Sequence, residues 1–403
     1  MLRMLLFFLL ISSLARAQER PSVRLTVYDE ANGGPQGLYN CIFQSTSGFL
    51  WFGSSNGLVR YDGYGFTVFR NEKGYSSNIT NLTEDGGGRL WMSLAEGSLA
   101  KFDPAASRFT NYALKNSSDP TLQTAQIMTL FFDRKARLWI GMAQKGLLLF
   151  DTTKKTTRIY PLTDIHPAYA VALNKIYNTV YAIQEDAQEK LWLATHDGLY
   201  TLAGPNSALK PIRERPVVPH SFRKDLFNGL VLDGDSIWLG AWAGGLSCYH
   251  MKSGKWDRYF SDSTSIGKST TNIINALALK GRNQLWLSSG DQALGVFDKP
   301  SKRFLFFREY VTDPDLPRTE AWGLKLDKDG NAWAISAQRL IKIQVNRTPF
   351  YFTSLPVSRS DNQADYNLTD LWENENIRII TTEYADGIHV YDKHSGKQAI
   401  FKV

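Results

Sequence analysis

Leu50-Trp51-Phe52-Gly53-Ser54-Ser55-Asn56-Gly57-Leu58-Val59-Arg60-Tyr61-Asp62-Gly63 decides the fold. Leu50 to Ser54 reads as a short strand. Asn56-Gly57 offers the two φ > 0 residues of a type I′ turn. Leu58 to Tyr61 returns as a second strand, and Asp62-Gly63 turns the chain again. A lone hairpin is marginal in water and needs neighbours that bury its apolar face.

Copies of the hairpin run to the C-terminus. Trp51, Trp91, Trp139, Trp192, Trp238, Trp286 and Trp333 sit in matching apolar contexts, spaced by 40, 48, 53, 46, 48 and 47 residues. An eighth copy lacks the Trp and reads Ile377-Arg378-Ile379-Ile380, then Asp386-Gly387-Ile388-His389-Val390-Tyr391-Asp392. A period in the forties, rich in Gly, aromatic and β-branched residues, predicts an all-β chain built as a β-propeller of four-stranded blades. In the first repeat the strands are expected at 38–44, around Trp51, around Tyr61 and at 66–70. The seven Trp recur at one strand position, where a bulky ring fills the gap between blades. An acid stands six residues before four of them, at Asp85, Asp133, Asp186 and Asp327, where a carboxylate can fix the turn by accepting backbone N–H groups.

The segment Val23-Arg24-Leu25-Thr26-Val27-Tyr28 alternates and precedes the first repeat. It resembles the fourth strand of later repeats and is expected to close the ring by completing the last blade. Seven blades plus an eighth repeat starting a second ring are expected; a single eight-bladed ring is the alternative. The divisions are residues 1–17, 18–353 for the seven-repeat propeller, and 354–403 for the eighth repeat. The irregular segment 354–364 is the candidate boundary.

Residues 1–17 read as a signal peptide: Arg3 supplies a positive start, an apolar run follows, and Ala15-Arg16-Ala17 is a cleavage site. The chain is therefore expected to be exported and periplasmic. The net charge of +7 falls to +5 without Arg3 and Arg16 (7 − 2), and the basic residues are scattered, which argues against nucleic acid as a partner. Cys41 and Cys248 read as strand positions in distant blades, with no bridge expected between them.

The stretch Gly48-Phe49-Leu50-Trp51-Phe52-Gly53, continued by Asn56-Gly57-Leu58-Val59-Arg60-Tyr61-Asp62-Gly63-Tyr64-Gly65-Phe66, resembles the two-component regulator propeller repeat. The resemblance covers essentially the whole chain after the leader, most specifically in the opening repeat. It implies the periplasmic sensor region of a hybrid two-component histidine kinase, whose usual plan is two seven-bladed propellers, an immunoglobulin-like domain, a membrane helix and a cytoplasmic kinase. It also implies an oligosaccharide-like ligand and a histidine kinase module outside this chain.

Catalytic motifs such as H-E-x-x-H, C-x-x-C, G-x-S-x-G or a P-loop do not occur, so no enzyme activity, cofactor or metal is expected. The six histidines, His166, His196, His220, His250, His389 and His394, are spread along the chain. Propeller ligands often sit on the face formed by the loops entering the first strands and joining the second and third. The candidates there are Asn40, Asn228, Asn275 and Trp322 at the entrances, and Lys145, His196 and Trp242 in the second-to-third loops. Aromatic faces stack on sugar rings, while Asn and Lys bond hydroxyls. Ordinary loop and strand-cap roles compete at each position. Two rival readings remain: a stand-alone interaction scaffold, self-associating as a homodimer through the unfinished second ring, and a propeller lyase of the streptogramin type.

Overall fold

The computed structural model describes residues 22–71, 76–114, 122, 125–162, 178–213, 226–242, 244–260, 272–290, 293–307, 321–336, 338–346, 368–373, 377–382, 388–392 and 398–401. The leader at 1–17, the boundary segment 354–364, and His166, His220 and His394 lie outside them. Chain contacts divide the protein into two units, Met1–Pro349 and Phe350–Val403.

The first unit is a closed ring of seven antiparallel four-stranded sheets. Blade one consists of Tyr39–Gln44, Leu50–Ser54, Gly57–Tyr61 and Phe66–Phe69, in that order from its inner edge. Blades two to six repeat the arrangement, and the first strands of successive blades contact one another around the ring. Blade seven is assembled from both ends of the unit. Gly323–Leu326, Ala332–Ser336 and Arg339–Asn346 supply three strands, and Ser22–Tyr28 pairs antiparallel with the last of them. Tyr28 stacks on Trp333 at 5.8 Å with 10° between the planes. Tyr39–Gln44 of blade one packs against Gly323–Leu326 and Ala332–Ser336. The ring therefore closes with seven blades, because the N-terminal strand already occupies the outer edge of blade seven and blade one covers its face.

Every repeated Trp is buried with the apolar side chains of the following blade. Trp139 packs with Val180, Leu191 and Leu193 of blade four, and Trp333 with Leu50, Phe52 and Val59 of blade one. In the first six blades a small residue two positions after Trp lets the next blade come close; blade seven has Ile335 there. A Cβ on Gly53 would lie 2.7 Å from Ile79 Cγ2 and 2.9 Å from Ile79 O. Cys41 and Cys248 are free thiols, pushed up to about 12 and about 11 by burial.

The hairpin of blade one differs from the expected type I′ turn. Ser54 pairs with Gly57, so the turn is centred on Ser55 and Asn56. Asn56 is not among the positive-φ residues, and only Gly57 is, at 132°. The Ser54 hydroxyl accepts from Asn56 N at 3.2 Å and donates to Gly57 O at 2.9 Å, which holds this tighter geometry. A Cβ at Gly57 would lie 2.5 Å from Phe69 O, so glycine serves the close approach of the fourth strand.

The second unit contains one four-stranded antiparallel sheet, Leu368–Glu373, Ile377–Thr382, Ile388–Asp392 and Gln398–Phe401. Its first strand carries a register shift between Leu368 and Asp370, at the position where most first strands of the ring also shift.

Candidate ligand-binding face

The register shift organises one face of the ring. In blade one it falls between Tyr39 and Cys41, leaving Asn40 as the extra residue. The same shift isolates Thr80, Met128, Tyr181, Asn228 and Asn275 in blades two to six. Trp322 takes the equivalent place in blade seven, just before Gly323 pairs with Ile335. The four entrance candidates thus occupy one structural position, shared with Thr80, Met128 and Tyr181, which sequence reasoning missed. The signal was available: apart from Asn228, ten residues before Trp238, each stands eleven residues before its blade Trp.

The asparagines clamp neighbouring blades. Asn40 Nδ2 donates to Ile79 O at 2.8 Å, Asn228 Nδ2 to Ile274 O at 3.3 Å, and Asn275 Nδ2 to Ala321 O at 2.9 Å. Each acceptor belongs to the residue just before the next blade's equivalent position. Asn228, Asn275 and Trp322 therefore follow one another across blades five, six and seven, and Asn40 continues the arc in blade one. Trp322 is 49 % exposed and Trp242, in the second-to-third loop of blade five, is 48 % exposed. Leu38, at the entrance to blade one, is also exposed.

The loops that carry Lys145 and His196 lie in a second sector and meet at Thr179. Its Oγ1 accepts from Gln144 N at 3.0 Å, and its carbonyl accepts from His196 N at 3.0 Å. Tyr181 Oη lies 3.2 Å from His196 Nδ1 and the rings stack. Burial holds His196 below its ordinary value of 6.5, against the opposing pull of Asp197. Asp197 anchors this loop: Tyr200 donates to its Oδ2 at 2.5 Å, Arg213 Nη2 donates to the same oxygen at 2.7 Å, and Arg213 Nη1 donates to its carbonyl at 2.6 Å. Burial and Asp197 together push the Tyr200 hydroxyl far upward. Trp242 N donates to Leu226 O at 3.0 Å, and no hydrogen bond among the described residues ties Trp242 to this sector.

The acids before the tryptophans do more than fix a turn. Asp133 Oδ1 accepts from Lys135 N and Arg137 N, while its Oδ2 accepts from Trp139 Nε1 at 2.7 Å. Asp85, Asp186 and Asp327 repeat this with Trp91, Trp192 and Trp333 at 3.0, 2.8 and 2.9 Å. Among the described residues, no three His, Cys, Asp or Glu side chains group as metal ligands.

No family model matches this sequence, and no curated protein matches it. Solved structures do match. The extracellular domain assigned to a hybrid two-component system of B. thetaiotaomicron superposes with a TM-score of 0.64 at 18% identity, over 94% of this chain and 49% of that one. A second such domain from the same organism gives 0.61 at 18% identity, over 95% of this chain and 47% of that one. Virginiamycin B lyase from Staphylococcus aureus gives 0.61 at 13% identity, over 81% of this chain and 100% of that one. The chain shares their propeller fold. It spans about half the length of the two-component domains. These domains are the class of protein that the opening repeat resembles. No helix among the described residues is long and apolar enough to cross a membrane.

Proposed function

We propose that this chain is the ligand-sensing part of an exported, periplasmic two-component signalling protein. It binds an oligosaccharide-like ligand on the face carrying the seven equivalent entrance positions, and passes the signal to a histidine kinase module. The observation that carries this reading is the exposure of Trp322 and Trp242, 49 % and 48 %, on the face that also bears the asparagine arc. Exposed indole faces suit sugar rings. The clamping amides of Asn40 and Asn275 keep their carbonyl oxygens for ligand hydroxyls, and Lys145 and His196 add polar contacts in the adjoining sector. The two-component likeness supports the signalling role, and on this reading the eighth sheet is the first blade of a second ring.

Calorimetric titration of the full chain with a panel of neutral and acidic oligosaccharides tests it. Trp322→Ala and Trp242→Ala are each expected to weaken the binding saccharide about tenfold, the loss of roughly one stacking contact. Their melting temperatures should stay close to that of the parent chain, since both rings are half in solvent. Binding that ignores both substitutions, or a panel without a binder, overturns the reading.

A further inference from the structure

The turn before Trp51 lacks the acid used by most of its counterparts. Its sixth preceding residue is Ser45, whose hydroxyl is committed within the turn, 2.7 Å from Ser47 Oγ and 3.2 Å from Phe49 O. Trp51 is 2% exposed, and among the described residues its Nε1 has no hydrogen-bond partner. Arg60 lies directly across the strand pair from Trp51. Among the described residues its Nε is buried without a partner as well and the guanidinium forms no ion pair, resting over Phe49 at 5.0 Å and Phe69 at 5.8 Å. Two buried donors on one face of one sheet are thus left without an acceptor, a costly arrangement in a folded protein.

Blade six provides a contrast. Trp286 Nε1 is also without a partner, but the residue six positions earlier is Lys280, whose ammonium lies 4.6 Å from the centre of the indole ring. A cation already holds that face. In blade one, by contrast, Trp51 and Arg60 both line a cleft of about 740 Å³ between blades one and two. Ser45, Thr46, Ser47 and Phe49 form its blade-one wall. The acids at its rim are committed elsewhere. Glu84 accepts from Thr46 N at 2.7 Å and Thr46 Oγ1 at 3.1 Å, and Asp103 accepts from Ala105 N at 3.0 Å and Ala106 N at 3.2 Å. Arg89 is neutralised by Asp85 at 3.0 Å.

We propose that this cleft binds a small hydroxycarboxylate. Its carboxylate takes the place that Asp133 and its counterparts hold in other blades, accepting from Trp51 Nε1 and from Arg60. The hydroxyl oxygens of Ser45, Thr46 and Ser47, which keep accepting lone pairs beside the bonds they already make, face the ligand's alcohol, which donates to them. The site is formed by turns between first and second strands, on the face opposite Lys145 and His196, and does not depend on the saccharide reading.

The test follows the indole N–H resonance of Trp51 in the full chain, identified with Trp51→Phe, during titration with sodium lactate. Lactate is expected to move that resonance to a plateau, while glycerol, and sodium sulfate at equal ionic strength, leave it in place. Arg60→Gln should weaken the response at least tenfold. Ser45→Asp, which supplies a carboxylate from the chain itself, should move the resonance without lactate and abolish the response to it. If Ser45→Asp does not fold, Arg60→Gln and Arg60→Lys decide the matter by whether the lactate response falls. A resonance that lactate does not move, that sulfate moves equally, or that responds unchanged in Arg60→Gln overturns the proposal.

Discussion

Blades one and three solve the same packing problem with different chemistry. Both place a Trp in the second strand against the next blade, with Trp51 2% and Trp139 0% exposed. In blade three Asp133 satisfies the indole and two turn amides at once, and Arg137 Nε adds a fourth donor at 2.6 Å. In blade one Ser45 leaves the indole unanswered. The blade forms nonetheless. Inter-blade burial of the ring is therefore what the fold requires, and the carboxylate is an added brace that blades one and six both lack.

Removing each ring is the strongest way to break this comparison. Trp139→Ala should cost about 4 kcal/mol in denaturant unfolding, because it opens a cavity and removes a buried hydrogen bond to Asp133. Trp51→Ala should cost about 3 kcal/mol, the cavity alone. Equal losses would show that the brace contributes nothing. A smaller effect separates the braces themselves. Asp133→Ala should cost about 2 kcal/mol by leaving buried donors without an acceptor, whereas Ser45→Ala should cost about 0.5 kcal/mol. Ser45→Asp, measured by the same unfolding curve, should stabilise blade one by about 1 kcal/mol.

Acid titration gives the smallest effect and sharpens the comparison further. Burial alone would raise the Asp85 carboxyl, but hydrogen bonds from Trp91, Arg89 and Gly87 and the Arg89 charge outweigh it, and the group lies below its ordinary value of 3.8. The unfolded chain then takes up the proton first as the pH falls. The stabilisation is fully present above 3.8 and is lost as the pH drops through the folded value. Melting temperatures below about pH 5 should fall less steeply in Asp85→Asn than in the parent chain. The same titration in Ser45→Asp should fall more steeply. His196 acts at higher pH. Its lowered value means that the unfolded chain binds the proton first below 6.5, so stability declines on acidification from there, and His196→Gln should flatten that step.

Much of the ring was legible because its signals are local and repeated. The Trp spacing, the alternating strands and the closing segment at Val23-Arg24-Leu25-Thr26-Val27-Tyr28 each follow from residues close in sequence. The Asn56-Gly57 turn was misread because the Ser54 hydroxyl, rather than the dipeptide, sets the turn centre. At the entrances, Asn40, Asn228, Asn275 and Trp322 stood out as polar or aromatic residues. Their common position did not, because a register shift appears only when strands are paired. The amide partners were out of reach for the same reason: Asn40 and Ile79 are 39 residues apart.

By itself, the sequence determined that this protein is an all-β ring of repeated blades with a tryptophan in each of seven. Alternation, turn residues and apolar periodicity act over a few residues, and repetition multiplies them. Only the tertiary structure decided that seven blades close the ring, that asparagines clamp blades one, five and six to the blades that follow, and that two donors in blade one lack an acceptor among the described residues. Those outcomes depend on which distant side chains meet, and burial sets their energetic weight.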